Sequence, residues 1–168
     1  MENKSIFRNF WKYALSYLLI FILFILFLYH FVNIPEHELN TEVVERSLTM
    51  SINIIRNNLI NYCGYLCAFI LWPIFLFMDI CFNAWSIVVS LKTVGIMETI
   101  RHLILHGIIE IPNSMMYTYL AYGAFVKFLK EKDFGLKEYF KYIYDRKKAY
   151  CVCAIFVVIA GLVEGLLS

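Results

Sequence analysis

Five ionisable side chains stand where the chain offers them little water: Asp79, His102, His106, Glu110 and Glu164. An acid at the centre of a membrane span costs roughly 2.5–3.5 kcal/mol on insertion scales. Such a group therefore faces the protein interior or a water-filled space, and it pairs. His102, His106 and Glu110 follow at i, i+4 and i+8, so an unbroken helix carries all three on one face. Pro112 comes two residues after Glu110 and removes a backbone donor, which loosens the helix there. A neighbouring helix or water must satisfy the carbonyl that it frees.

This set of residues allows three kinds of chemistry. In the first, Glu110 and His106 bond to each other or to Asn83 and Glu164 and lock helices together, each contact being worth about 0.6–2 kcal/mol. In the second, the same groups line a path for protons or ions. In the third they hold a metal or a catalytic centre. His-x-x-x-His followed by Glu resembles metal-ligand spacing, but the zincin order His-Glu-x-x-His is absent. The chain also lacks a Ser/His/Asp constellation and a Gly-rich phosphate loop, which argues against catalysis and against ATP hydrolysis. No cofactor or metal is expected.

The elements that position these residues are read from hydropathy. Of 168 residues, 61% are hydrophobic and 18% aromatic, and the mean hydropathy is +0.68. A soluble domain is roughly 45–50% apolar, and here the excess comes in blocks. A span needs about 20 apolar residues. Residues 11–32 form the first. Lys4, Arg8 and Lys12 precede it as in a signal peptide, but the apolar run 14–32 outlasts a cleavable core of roughly 7–15 residues and no small-x-small site follows. It reads as a retained span. Residues 33–58 form a polar stretch. Within it Val44, Leu48, Ile52, Ile55 and Leu59 recur at helical spacing, as in an interfacial helix capped by Asn40 or Thr41.

Residues 59–91 are almost continuously apolar, a helix of about 50 Å and too long for one upright span. Two spans, 59–79 and 80–97, joined near Asp79–Asn83, fit better, with Pro73 kinking the first. Residues 102–126 and 149–167 complete the set. Between them, 127–148 carries eight basic and four acidic residues, with Leu136, Tyr139, Phe140 and Ile143 making an aromatic face suited to an interface. Gly161-x-x-x-Gly165 lets another helix approach the last span closely. With Glu164 inside the motif, the expected partner is the span holding Glu110, Gly107 and Pro112. Cys63, Cys67, Cys81, Cys151 and Cys153 have no zinc-finger spacing and read as small packing residues.

The fold expected is an all-α integral membrane protein, a bundle of about five transmembrane helices with short interfacial amphipathic helices. Lys and Arg concentrate at the N-terminus and in 127–148, so both belong in the cytoplasm, 33–58 outside and the C-terminus outside. Three spans with a re-entrant hairpin are the alternative. The net charge of +2 and the lack of an arginine-rich strip set nucleic acid aside.

The segment His106-Gly107-Ile108-Ile109-Glu110-Ile111-Pro112 resembles the His-Gly-x-x-Glu-apolar-Pro signature of the stage II sporulation protein M family. Asn57-Asn58, Phe82-Asn83 and Glu164 stand in the order associated with that family, so the resemblance covers roughly residues 57–168. Departures are Leu105 for a common Pro, Ala84 for a common Gly, and Gly64 with Cys63, Cys67 and Ala68 where the family is richer in glycine. The resemblance implies a helical membrane protein of a low-GC Gram-positive bacterium, with Asn83, His106, Glu110 and Glu164 as matched positions. Three roles are then open, the first two implied by the resemblance and the third by the polar cluster of His106, Glu110 and Glu164. The first is a non-enzymatic accessory or permease-like subunit in bacteriocin export or producer immunity, beside an ABC ATPase, other membrane subunits or further copies of the chain. The second is a scaffold for cell-wall remodelling. The third is an ion-coupled carrier.

Overall fold

The computed structural model describes residues 2–33 and 48–167, with the side chains of residues 2–8, 102, 105, 106 and 167 outside that description. The described residues are helical, with no strand among them. Helix α1 spans Glu2–Phe31, α2 Leu48–Cys67, α3 Trp72–Thr93, α4 Ile96–Lys130, α5 Leu136–Asp145 and α6 Lys147–Leu167. Three stretches are long and apolar enough to cross a membrane: Asn9–Phe31, Phe69–Thr93 and Lys147–Leu166. Helix α2 holds Arg56 and several asparagines and α4 holds Glu98, Arg101 and Glu110, so both are more polar.

The long helices alternate in direction. Tyr65 meets Phe75 and Asn61 meets Asp79, so α3 runs back along α2. Trp72 Nε1 donates to the Thr118 carbonyl at 3.0 Å while Ser90 and Thr99 hydroxyls lie 2.9 Å apart, so α4 runs back along α3. Helix α6 returns along α2, with Gly161 on Ile55 and the Tyr62 hydroxyl donating to the Tyr150 carbonyl at 2.9 Å. Helix α1 lies parallel to α3, as Tyr13 faces Trp72 and Tyr29 sits under the Lys92 ammonium. One end of the bundle therefore gathers the start of α1, the α2–α3 junction and the α4–α5–α6 turns.

That junction corrects the sequence reading. The break falls at Ala68–Leu71 rather than at Asp79–Asn83, which lie inside α3. Pro73 does not kink a span; it sits in the first turn of α3, where its missing N–H has no partner to lose. Asp79 and Asn83 remain in mid-helix because their side chains meet a polar cavity. Helix α4 is likewise continuous through Pro112.

Three further expectations change. The glycines of α6 face α2, not the helix of Glu110. A Cβ on Gly161 would lie 2.6 Å from Ile55 Cγ1, and one on Gly165 would overlap Ser51. That contact turns Ser51 inward and leaves Leu48 and Ile52 of the expected apolar stripe exposed, while residues 34–47, with Asn40 and Thr41, lie outside the described residues. The aromatic face of α5 is split: Tyr139 and Tyr142 point inward, and Leu136, Phe140 and Tyr144 point outward. The Tyr139 hydroxyl donates to the Leu66 carbonyl and the Tyr142 hydroxyl to that of Leu120 at 2.9 Å, which ties α5 to the bundle. Burial pushes the Tyr142 phenol up to about 12, against the nearby Arg146 cation, so it stays a neutral donor. Of the cysteines, Cys153 is buried, Cys81 is half-buried and Cys63, Cys67 and Cys151 are exposed, so packing within the bundle does not account for all of them.

Candidate functional site: an acid-lined cavity within the bundle

Asp79 and Asn83 are one turn apart on α3 and share a face. That face opens on a cavity of about 500 Å³. Helix α4 contributes Gly107, Glu110, Ser114 and Tyr117, spaced three, four and three residues apart down one stripe. Helix α2 contributes Asn57, Asn58 and Asn61, α6 contributes Glu164, and α1 closes the side with Tyr17 and Phe21.

The structure thus brings Asp79, Asn83, Glu110 and Glu164 around one space, from three helices far apart in sequence. Gly107 lines it too, whereas Pro112 is exposed and Gly161 and Gly165 serve the α2–α6 contact. The side chains of His102 and His106 lie outside the described residues, although both positions are helical and flank the lining residues Leu103 and Gly107.

Asp79 is the best-held group. The Tyr65 hydroxyl donates to it at 2.7 Å, and the Asn61 amide lies 3.2 and 3.3 Å from its two oxygens. The same amide reaches the Tyr117 hydroxyl at 3.5 Å. Tyr65 is 1% exposed, so this network sits in the core. Asn61, Tyr65 and Tyr117 are the residues that sequence reasoning missed. The i, i+4 spacing of Asn57 and Asn61 within an apolar stretch is a legible signal. The tyrosines give none, because the chain has 12 of them.

Three carboxyl groups share the cavity, and no Lys or Arg is found among its described lining residues. Like charges around a low-dielectric space repel, which raises the cost of ionising all three together. Among the described residues, which leave out the side chains of His102 and His106, no three His, Cys, Asp or Glu side chains are placed to hold an ion. Comparison with family models, curated proteins and solved structures finds no match to this chain.

Proposed function

We propose that this chain is a five-span, non-enzymatic protein of a bacterial cell membrane, with its N-terminus in the cytoplasm and its C-terminus outside, that works through proton or cation traffic in the acid-lined cavity. The observation that carries this reading is the meeting of Asp79, Glu110 and Glu164, from three helices, around one cavity. Ionisable groups within a membrane are costly, and they mark ion pathways and proton relays. The five spans are α1, α2, α3, α4 and α6, and their alternating direction supports them. The orientation is supported by Lys12, Lys127, Lys137, Arg146 and Lys148 gathering at one end.

Replacing Glu110 by Gln in proteoliposomes tests the reading. Proton or cation flux should fall while the thermal unfolding profile in detergent is kept. Loss of assembly with Glu110→Gln would favour a purely structural polar lock.

A second reading assigns the chain to peptide export or immunity beside an ABC ATPase, in line with the stage II sporulation protein M resemblance. It is favoured by the outer face of α5, where Leu136, Phe140 and Tyr144 are exposed among Lys137, Lys141 and Lys147 at the basic end. Such a face suits a cytoplasmic subunit. Deleting the gene from a producer strain should lower secretion or self-resistance; no change in either sinks this reading.

A further inference from the structure

A second cavity, of about 530 Å³, lies between α1, α3 and α4. Along these helices it carries on from the acid-lined cavity. On α3 the acid-lined cavity reaches from Asp79 to Ile87 and the second from Trp72 to Ile80; on α4 they reach from Leu103 to Tyr117 and from Tyr119 to Val126. On α1 they overlap, the acid-lined cavity taking Tyr17 and Phe21 and the second reaching from Asn9 to Ile20, so that Tyr17 lines both. The two spaces therefore occupy opposite halves of the bundle and adjoin at a thin layer holding Tyr17, Asp79 and Tyr117. Tyr17 is 7% exposed, a buried ring shared by both linings. One turn below it, Tyr13 lines the second cavity, and its hydroxyl is buried behind that lining.

We propose that the two cavities are half-paths of one interrupted proton route through the bundle, with Tyr17 as its closure and Asp79 as the carboxyl that takes up and releases the proton at the break. The inference rests on the acid-lined cavity being the working site. A proton entering from the Glu164 side neutralises the Asp79 carboxylate. It leaves from the same carboxyl past Tyr17 toward the Tyr13 hydroxyl, so one proton goes in, one comes out and nothing is consumed. The proton is favoured over a metal cation because hydroxyls and carboxyls hand it on without admitting a hydrated ion past the buried Tyr17.

The test uses the full chain in proteoliposomes holding a pH-sensitive dye, with a potassium diffusion potential as the driving force. Tyr17→Ala should raise proton flux by roughly an order of magnitude, as expected on widening a constriction. Adding Asp79→Asn should return the flux to the starting level. A Tyr17→Ala flux that ignores Asp79→Asn is leakage through a packing defect and overturns the proposal. So does a Tyr17→Ala chain with unchanged flux, even where Glu110→Gln lowers flux and the acid-lined cavity remains the working site. A second measurement leaves Tyr17 and Asp79 in place. Ser86→Cys and Ser16→Cys, one from each cavity, should react with a membrane-impermeant thiol reagent from opposite sides of the membrane, read by peptide mass spectrometry. Labelling of both from one side, or of neither, overturns the through-route.

Discussion

Asp79 is surrounded by donors that have no other described acceptor of comparable strength. Its carboxyl receives Tyr65 and Asn61, and the cost of removing it falls on those partners. Asp79→Ala should destabilise the bundle by about 1–3 kcal/mol for each donor left unsatisfied. Asp79→Asn keeps an acceptor for Tyr65 and should cost less. Thermal unfolding in detergent measures both. Glu110 lines the same cavity but lacks the Tyr65 and Asn61 donors that hold Asp79. Its replacement by Gln should lower flux more than stability, and the two readouts together separate carrier from lock. The position of Asp79, Asn83, Glu110 and Glu164 was legible in the sequence because each is a polar outlier in an apolar run. The network around Asp79 was not, since Tyr65 and Tyr117 are chemically ordinary until α2 and α4 bring them together.

Among the elements, α6 depends on its glycines for close approach to α2. Gly161→Leu drives a branched side chain into Ile55, and overpacking of this kind costs about 1–3 kcal/mol. A Tm lowered by Gly161→Leu but unmoved by Gly107→Ala would place the tight contact on α2 rather than α4. Pro73 offers a contrast. At the first turn of α3 it removes no helical hydrogen bond, so Pro73→Ala should change stability by less than about 1 kcal/mol. A large effect would restore the kink that the hydropathy of residues 59–91 suggested. Helix α5 carries a pH dependence. The Tyr142 phenol ordinarily titrates near 10 and is raised to about 12 by burial. Its contribution is therefore complete below pH 10 and is lost as pH rises through about 12. Proteolysis within α5 should increase over that window and, with Tyr142→Phe, lose this component of its pH dependence. The hydropathy pattern marked α5 as amphipathic, but not which aromatic faces inward. Tyr139 and Tyr142 turn in because carbonyls of Leu66 and Leu120 lie there to accept from them.

At the scale of the whole molecule, alternating long helices place the start of α1 and the α4–α5–α6 turns at one end and the end of α6 at the other. Reporter fusions should then find the C-terminus outside and both the N-terminus and the turn after Lys130 inside. A C-terminal fusion active on the cytoplasmic side would exclude an odd number of spans with this orientation. Charge gives the physical reason for the arrangement, since Lys and Arg resist transfer across the membrane.

The amino-acid sequence by itself determined that the described chain is helical, where its apolar blocks lie and which polar side chains stand out in them, because length, hydropathy and charge act locally. Tertiary structure alone decided what those outliers do to one another. The break at Ala68, the turn of Gly161 and Gly165 toward α2, and the closing of two cavities at Tyr17 all depend on which helix lies beside which. Van der Waals contact and hydrogen bonding between residues distant in sequence settle that choice, and no local pattern encodes it. Asp79, His102, His106, Glu110 and Glu164 opened as a one-dimensional list of awkward charges; the fold gathers Asp79, Glu110 and Glu164 around one shared cavity.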